Sequence, residues 1–431
     1  MSDQSDLNRL LAAATCALLG SGAAHASEAD SWNVDSALLY YGEDKSRVQD
    51  VSARVDATRK FEDERALNLS ITADTLTGAS ANGAIATGTP QTFTSPSGRA
   101  TYATAANEIP LDDTFHDTRF AMNASWSQPF AELYSFSAGL GFSTEFDYQH
   151  LGGDVSIARD FNKRNTTLSV GIAYSNDSIS PVGGAPIGLS QMLDVGDNSN
   201  KLGNDKKNVV DLLFGFSQVL NRTTVLRLNY SYSQSSGYLN DPYKVLSVVD
   251  PVTGDTITRL PSGEGPSGMY LYENRPDTRT KQSVYGELKH AFGKQVLEVG
   301  VRYMTDDWGI NSETIDGRFR WPLSGGYFVE PHMRYYTQTA ADFYRFDLID
   351  GQPLPQFASA DYRLGKFEAA TLGLKVGHET AQGNEWNARL EYYQQNGKVS
   401  QSDLIGNQLQ RDNAPDLKAV IFQVGYRFGR R

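Results

Sequence analysis

The residues of this sequence that could do chemistry are mainly carboxylates and guanidiniums, many of them in short motifs with Pro, Gly or aromatic neighbours. Paired carboxylates suit hard cations such as Ca²⁺, and arginines placed among carboxylates can fork onto them and neutralise them. No segment has calcium-loop spacing, so we expect arginine pairing and no metal, with a divalent-cation or solute site as the alternative. The set comprises Asp74, Asp112, Asp113, Asp117, Asp147, Asp241, Arg275, Asp277, Arg279, Asp306, Asp307 and Asp342.

Catalytic constellations are poor by comparison. The histidines His116, His150, His290, His332 and His378 are scattered and lack metal-ligand spacing. The sequence has no phosphate loop, no c-type haem motif and no dinucleotide fingerprint. His116 and His150, together with the plentiful serine of the chain, leave an acyl hydrolase as an alternative, but no nucleophile motif supports it. We therefore expect a protein that is not an enzyme and that carries no cofactor.

A second set of charged residues alternates with apolar residues inside extended segments. Successive side chains leave a strand on opposite faces, so this period of two indicates strands with one polar face. A midplane Arg or Lys facing lipid would cost roughly 2–4 kcal/mol, so these charges are expected to face a lumen. They either solvate that lumen as a structural ladder or line an ion- or solute-selective path. The set comprises Arg54, Asp56, Arg119, Glu145, Arg227, Glu298, Arg302, Arg334, Lys375, Arg389, Glu391 and Arg427.

Sixteen such segments predict the fold. The last has Val420, Phe422 and Val424 on one face and Gln423 and Gly425 on the other, and its length suits a tilted membrane strand. The pattern predicts an all-β, antiparallel, up-and-down transmembrane barrel. The predicted strands are 32–42, 47–59, 66–76, 117–128, 134–148, 153–161, 166–177, 208–219, 224–235, 280–291, 295–306, 310–321, 327–338, 366–377, 385–395 and 418–428.

The connections between these segments support the same fold. From the third strand onward they alternate between short and long, with short exceptions on the long side. An antiparallel barrel puts alternate connections at opposite rims, with short turns in the periplasm and long loops outside the cell. This topology makes both termini periplasmic and brings the aspartate motifs to the long-loop rim. Aromatic girdles are expected at both rims, with Trp32, Trp126, Trp321 and Trp386 at the short turns and Trp308 at the long loops.

The N-terminus predicts export. Residues 1–26 have the short apolar run and small-x-small ending of a secretory signal peptide, with cleavage before Ser27. The barrel domain then spans 27–431, and the single cysteine, Cys16, lies in the leader. A net charge of −12 argues against a nucleic-acid partner. The terminal strand, with Tyr426 and Phe428, is similar to an assembly signal, so outer-membrane lipid and the barrel-assembly machinery are expected partners.

Several motifs resemble one bacterial family, catalogued as domain of unknown function 3570. The motifs that carry this resemblance are D-T-L-T-G-A-S at 74–80, P-L-D-D-T-F-H-D-T-R at 110–119, E-F-D-Y at 145–148, L-N-D-P-Y-K at 239–244, E-N-R-P-D-T-R at 273–279, D-D-W-G-I at 306–310 and A-D-F-Y at 341–344. The resemblance implies an exported outer-membrane barrel without an assigned activity. Neighbouring genes in that family imply a periplasmic redox, flavin-linked or lipoprotein partner.

We expect the protein to be located in the outer membrane of a Gram-negative bacterium, where it could have one of two functions. The first is a channel for small hydrophilic solutes or ions, with loops folded over its mouth. Sixteen strands generally leave an aqueous lumen unless a loop fills it. The second is a structural or sheath barrel that serves the periplasmic partner.

Overall fold

A computed structural model describes residues 32–45, 47–78, 80–95, 99–112, 116–259, 265–411, 413 and 416–428. The predicted signal peptide and Asp113 lie outside these residues. Within them, no helix is long and apolar enough to cross a membrane. The chain is instead built from twenty-one strands with a few short 3₁₀ turns.

Sixteen antiparallel strands close into a barrel, which confirms the predicted fold class and strand number. The first strand pairs with the last, from Val34 opposite Phe428 to Glu43 opposite Ala419, so the sheet has no free edge. The barrel strands are β1 (Trp32–Glu43), β2 (Gln49–Lys60), β3 (Ala66–Thr77), β6 (His116–Ala131), β7 (Tyr134–Thr144), β8 (Tyr148–Phe161), β9 (Thr166–Ile179), β10 (Asp205–Asn221), β11 (Thr224–Gly237), β14 (Thr278–Phe292), β15 (Gln295–Asp306), β16 (Asn311–Pro322), β17 (Tyr327–Gln338), β19 (Lys366–Glu379), β20 (Glu385–Lys398) and β21 (Leu417–Phe428).

The predicted boundary between the fifth and sixth strands is wrong, and the other strand ends differ from the predicted ones by three residues or fewer. The fifth barrel strand, β7, ends at Thr144, and residues 145–147 form a turn before β8 begins at Tyr148. Tyr148 was expected on the apolar face of the fifth strand, but it points inward and its hydroxyl donates to Asp177. The alternation of apolar and polar residues continues through the three-residue turn. The sequence therefore gives no sign that the chain reverses direction there.

The outer face of the barrel is apolar. Leu140 is 70% exposed, and Leu151, Met333 and Leu372 are each more than 60% exposed. Side chains of this kind on every barrel wall need an apolar surrounding phase, because water would make the surface strongly unfavourable. The opposite parity of each strand carries the polar residues, as expected for an outer-membrane type of barrel.

The tryptophans separate into two groups. Trp32, Trp321 and Trp386 are exposed near the short-turn rim, where Trp126 also lies on the outer face. Trp308 was expected in a second girdle, and this expectation is wrong. It is 2% exposed, its Nε1 donates to the carbonyl of Thr278 at 2.8 Å, and it packs against Phe343. The loops around it form a core of their own, which gives a large apolar ring a better site than the interface.

We call this structure the loop cap; it consists of the described residues within 78–112, 180–204, 238–277, 339–365 and 399–416. It contains the pair β4 (Gln91–Thr94) and β5 (Thr101–Thr104), and a sheet of β12 (Val245–Val249), β13 (Tyr270–Tyr272) and β18 (Leu348–Ile349). Three buried apolar clusters hold it together. Their centres are Phe93 and Tyr270, Trp308 and Phe343, and Leu246 and Ala358.

The loop cap lies across the mouth of the barrel. Loop 238–277 bonds to all four other loops through Val245 to Asn82, Met192 to Tyr270, Asn274 to Ala358 and Gln408 to Gly254. Loops 180–204 and 399–416 leave the barrel on opposite sides, eight strands apart in the strand order. Since both reach the same loop, the cap spans the opening. The first and last loops also meet, where Arg411 donates to the carbonyl of Ala86 at 3.3 Å.

Candidate functional site

At the base of the loop cap lies a group of six charged residues, which we call the ion cluster: Asp241, Lys244, Glu273, Arg275, Asp361 and Arg363. Arg275 donates to Asp361 at 2.8 Å, and its Nε lies 2.7 Å from Glu273 without the alignment of a hydrogen bond. Arg363 reaches Asp361 at 2.5 Å and Asp241 at 2.6 Å. The cluster therefore ties loop 238–277 to loop 339–365 by charge-assisted bonds.

The centre of the ion cluster is nearly dry. The side chains of Glu273 and Asp361 are 1% exposed and that of Arg275 is 5% exposed. Burial would raise the pKa of Asp361, but Arg363, Lys244 and Arg275 outweigh it and hold that pKa well below its usual range. Glu273 differs, because burial raises its pKa to about 7 against the opposing effect of Arg275. Its Oε2 accepts a hydrogen bond from Ser359 at 2.5 Å.

Other members of the predicted rim network pair locally. Arg119 binds Asp74, and Arg279 binds Asp306 at 2.6 Å while lying 4.3 Å from the ring centre of Trp308. The remaining aspartates hold loop backbone, turns or their neighbours. The Asp117 carboxylate accepts from the backbone N–H groups of Thr118 and Phe146, and that of Asp307 accepts from the N–H of Thr280. The Asp342 carboxylate lies beside Gly309, and Asp112 is buried. Asp277 is exposed at the start of β14, and Asp147 lies in the β7–β8 turn.

Four members of the ion cluster were not among the predicted site residues. Lys244 and Glu273 lie inside motifs that the sequence singled out, but Asp361 and Arg363 lie outside every one of them. The Arg363–Asp241 contact joins residues 122 positions apart, and Arg275–Asp361 joins residues 86 apart. No local spacing marks such pairs. The only available signal was the run D-Y-R at 361–363, in which two opposite charges are two positions apart.

The predicted lumen charges lie on the inner face of the barrel, with one exception. Glu145 sits in the β7–β8 turn at the rim, 3.9 Å from Arg119. Most of the others form pairs across or along strands: Arg54 with Asp56 at 2.7 Å, Arg227 with Glu287 at 3.2 Å, Arg427 with Asp35 at 2.6 Å, Lys375 with Glu385 at 3.9 Å, Arg389 with Glu391 at 3.6 Å, and Glu298 with Lys289.

A protonated histidine occupies the charged wall of the lumen. His332 Nε2 lies 2.8 Å from Asp316 and its Nδ1 lies 2.9 Å from Glu391. A ring flanked by two carboxylates donates from both nitrogens, so this imidazole is a cation. The residue was noted in the sequence only as one scattered histidine. Among the described residues, no group of three or more His, Cys, Asp or Glu side chains is arranged to hold a metal ion.

The opposite wall of the lumen is lined by small residues. Inward positions of β7, β8 and β9 include Gly139, Gly141, Ser156 and Gly171, and Ser137 bonds to Ser156 at 2.6 Å. These side chains project little, so the room inside the barrel lies in front of them. The lumen therefore has one wall rich in ion pairs and one wall of mostly small residues, which also carries the carboxylate of Asp154 beside Gly139.

A histidine and an aspartate meet near the rim of the small-residue wall. His150 Nδ1 lies 2.7 Å from Asp177, which also accepts from Tyr148 and lies 3.1 Å from Lys207. Ser175 is nearby but only 2% exposed, and its hydroxyl has no hydrogen-bond partner within the described part of the chain. The contact between nucleophile and base that acyl transfer needs is not made.

Comparisons with known proteins give a family and distant structural matches. The family model described as protein of unknown function (DUF3570) matches residues 8–428. A comparison with curated proteins gave no match.

Solved structures that match are outer-membrane proteins of low sequence identity. BamA from Haemophilus ducreyi lacking POTRA domains 1–3 has a TM-score of 0.44 and 10% identity, over 93% of this chain and 71% of that one. The siderophore receptor PirA from Pseudomonas aeruginosa has a TM-score of 0.40 and 9% identity, over 93% and 63%. The ferric enterobactin receptor mutant R480A from Pseudomonas aeruginosa has a TM-score of 0.42 and 9% identity, over 86% and 54%. The chain spans about half the length of that receptor, and the likeness concerns the fold alone.

Proposed function

This chain belongs to the family described as protein of unknown function (DUF3570), and we propose that it is an outer-membrane channel for small hydrophilic solutes or ions, closed at rest by its loop cap. One observation carries the proposal: an inner face with charged, solvent-exposed side chains is enclosed by an apolar outer face. A barrel with a packed interior could use apolar side chains there instead of charged ones. Each charge taken into a dry interior costs several kcal/mol. The partly exposed pairs of the lumen, such as Arg54–Asp56 at 55% and 37%, therefore imply that water reaches them.

The loop cap makes the proposed channel a gated one. A packed lid with three apolar clusters blocks the direct route out of the long-loop mouth. Passage then requires the loops to separate or to shift together. We place the gate on the line where loop 238–277 meets loop 339–365. The two loops are joined there by two short strand pairings, the apolar cluster around Leu246 and Ala358, and the ion cluster.

Conductance in planar bilayers tests the proposal. The wild-type protein should show stepwise conductance with long closed periods. Asn274 and Ala358 exchange both backbone hydrogen bonds at 2.8 Å, which places their Cα atoms about 5.5 Å apart, a separation that a disulfide can bridge. The variant N274C/A358C should conduct less when oxidised than when reduced.

The control is the variant Arg275→Ala, in which the same loop contact is weakened rather than locked, and which should open more often. If neither the wild type nor Arg275→Ala conducts, the channel is wrong. Equal conductance of the oxidised and reduced disulfide variant would leave the channel but remove the proposed gate.

The orientation is part of the proposal. Outer-membrane barrels keep short turns in the periplasm, so we place the cap outside the cell and both termini in the periplasm. A protease site inserted at Val252, which is 77% exposed, should be cut on intact cells. One inserted at Gln382 should be cut only after the outer membrane is opened. Gly254 is a poor insertion point, because its φ of 68° and its contact with the Ile405 carbonyl fix the turn.

A sheath barrel is the second candidate, favoured by the way the cap spans one mouth and leaves charged lumen residues such as Asp35 and Arg427 near the other end. Such a barrel serves a periplasmic redox, flavin-linked or lipoprotein partner and does not pass solute. Co-purification of a periplasmic protein without conductance would support it. In both cases we propose a role without catalysis, since the His150–Asp177 pair lacks an activated nucleophile.

A further inference from the structure

Two arginines of the lumen stand apart from the rest. Arg302 on β15 and Arg334 on β17 point inward, and in the described part of the chain neither makes a hydrogen bond or lies within 4.0 Å of a carboxylate oxygen. Every other described arginine on the lumen wall has such a carboxylate, in the pairs Arg54–Asp56, Arg119–Asp74, Arg227–Glu287, Arg279–Asp306, Arg318–Asp316, Arg320–Glu385, Arg389–Glu391 and Arg427–Asp35.

The lack of a partner is built into the wall. Asp316 faces Arg334 directly in the strand register, where it would be the natural counter-ion. Its carboxylate instead accepts from His332 at 2.8 Å, with Arg318 at 3.7 Å. Glu391 is likewise engaged by His332 and Arg389. The nearby carboxylates are therefore already used by cations other than Arg302 and Arg334.

The two guanidiniums differ in how they are held. Arg302 lies 5.4 Å from the ring centre of Tyr285, which orients it by a cation–π contact. Arg334 is exposed, and since it points inward, its exposure is to the lumen. Their strands are separated only by β16, so the backbones are about 10 Å apart. The side chains are long enough to approach one ligand from two sides.

We infer that Arg302 and Arg334 form an oxyanion-binding site on the charged wall, one that takes a solute bearing phosphate or carboxylate groups. A planar guanidinium matches the oxygens of such groups with two parallel hydrogen bonds. Rings of Arg or Lys are a known device for anion selectivity in pores. The small residues of the opposite wall leave room for the rest of the solute. The inference deepens the proposed channel function and rests on it for its physiological meaning.

Binding is tested apart from conduction. The refolded full chain in detergent is titrated with inorganic phosphate at low ionic strength by calorimetry. The wild type should bind, and Arg334→Gln should weaken binding on the order of tenfold, as expected for a lost hydrogen bond to a charged group. Arg227→Gln is the matched control, because it removes the same single charge from the lumen but from an arginine already paired with Glu287. It should leave phosphate binding nearly unchanged.

A second variant separates recognition from general charge. Arg302→Lys keeps the positive charge but loses the planar fork, and it should bind phosphate more weakly than the wild type. The inference is overturned if the wild type does not bind phosphate, if Arg334→Gln and Arg227→Gln lose affinity equally, or if Arg302→Lys binds as tightly as the wild type. Phosphate binding with this pattern in a protein that does not conduct would refute the channel and support the site.

Discussion

The loop cap and the lumen wall use the same residue types in opposite ways. In the cap, Glu273 and Asp361 are each 1% exposed and are surrounded by two arginines and a lysine. In the lumen, Arg54 and Asp56 form a pair of similar length while remaining 55% and 37% exposed. Solvent can stabilise exposed lumen ions such as Arg54 and Arg334 whether or not they are paired, so Arg334 needs no carboxylate partner. In the dry cap, a charge without a partner of opposite sign would be strongly destabilising.

The comparison carries an energetic expectation. Removing one partner from a buried ion pair leaves the other charge dry and uncompensated, which costs about 3–5 kcal/mol. An exposed pair contributes about 0–1 kcal/mol. The same substitution should therefore be severe in the cap and mild in the lumen.

The largest effect is expected for Arg275→Ala. The change leaves Glu273 and Asp361 with fewer cations and should destabilise the cap by about 3–5 kcal/mol. Protease mapping by mass spectrometry should show faster cleavage in 238–277. The barrel should keep its heat-modifiable migration on gels, because the cluster makes no part of its strand pairing.

The same experiment separates arginine pairing from a cation site. A chelator should change the protease pattern of the wild type little. If chelator alone opens loop 238–277 and added Ca²⁺ closes it again, while Arg275→Ala has no effect, the cap is held by metal and the arginine network is wrong.

The next largest effect is a pH dependence of about 3 kcal/mol in the free energy of unfolding of the cap. The pKa of Glu273 rises from 4.5 in the unfolded chain to about 7 in the cap, so between these values the folded state binds more protons. Stability must then fall as pH rises through this window, by about 3 kcal/mol in total. Asp147, whose pKa burial raises to about 6, acts in the same direction. The thermal transition of the cap should be higher at pH 5 than at pH 8 by calorimetry.

Glu273→Gln is the control for this pH effect. The amide keeps the shape and cannot titrate, so most of the difference between pH 5 and pH 8 should vanish. Asp241 and Asp361, whose pKa values lie below their usual range, lose their stabilising effect only in stronger acid. A wild-type cap that is more stable at pH 8 than at pH 5 would contradict the assignment.

The smallest effect is expected for Arg54→Ala in the lumen. Its pair with Asp56 is exposed, so the free energy of unfolding of the barrel should change by no more than about 1 kcal/mol. The measurement is the temperature at which gel migration shifts to that of the unfolded chain. A loss as large as that caused by Arg275→Ala in the cap would mean that the lumen is dry, and the contrast between the two regions would fail.

The barrel could be predicted from the sequence because its signal is local. Alternation in a segment such as 418–428 reports which face each residue takes, and connection lengths report which rim each end reaches. Arg334 and Glu391 were placed inward on this basis alone. The cap has no such period. Trp308 was expected at the lipid interface because the sequence places it at a strand end. The residues that bury it, such as Phe343, come from another loop, and the sequence does not show that the two loops meet.

The ion cluster shows the same limit. Arg275 was predicted to pair with a carboxylate, but which carboxylate depended on how loops 238–277 and 339–365 cross. Apart from Arg363 two positions later, nothing in the sequence distinguishes Asp361 from exposed acidic residues in loops. Its importance for stability comes from its burial, and that burial exists only in the assembled cap.

The contact between Arg411 and Ala86 joins residues 325 positions apart, and it has a consequence for the order of events during biogenesis. The two loops become neighbours only after β21 has paired with β1, which is the last strand pairing available to a chain inserted from its N-terminus. Contacts this distant in sequence form late, because a long segment must be ordered first. A protease-resistant cap therefore reports that the cylinder has closed. A precursor stalled before closure would display the apolar interiors of its loops, which makes it a substrate for chaperones and quality-control proteases.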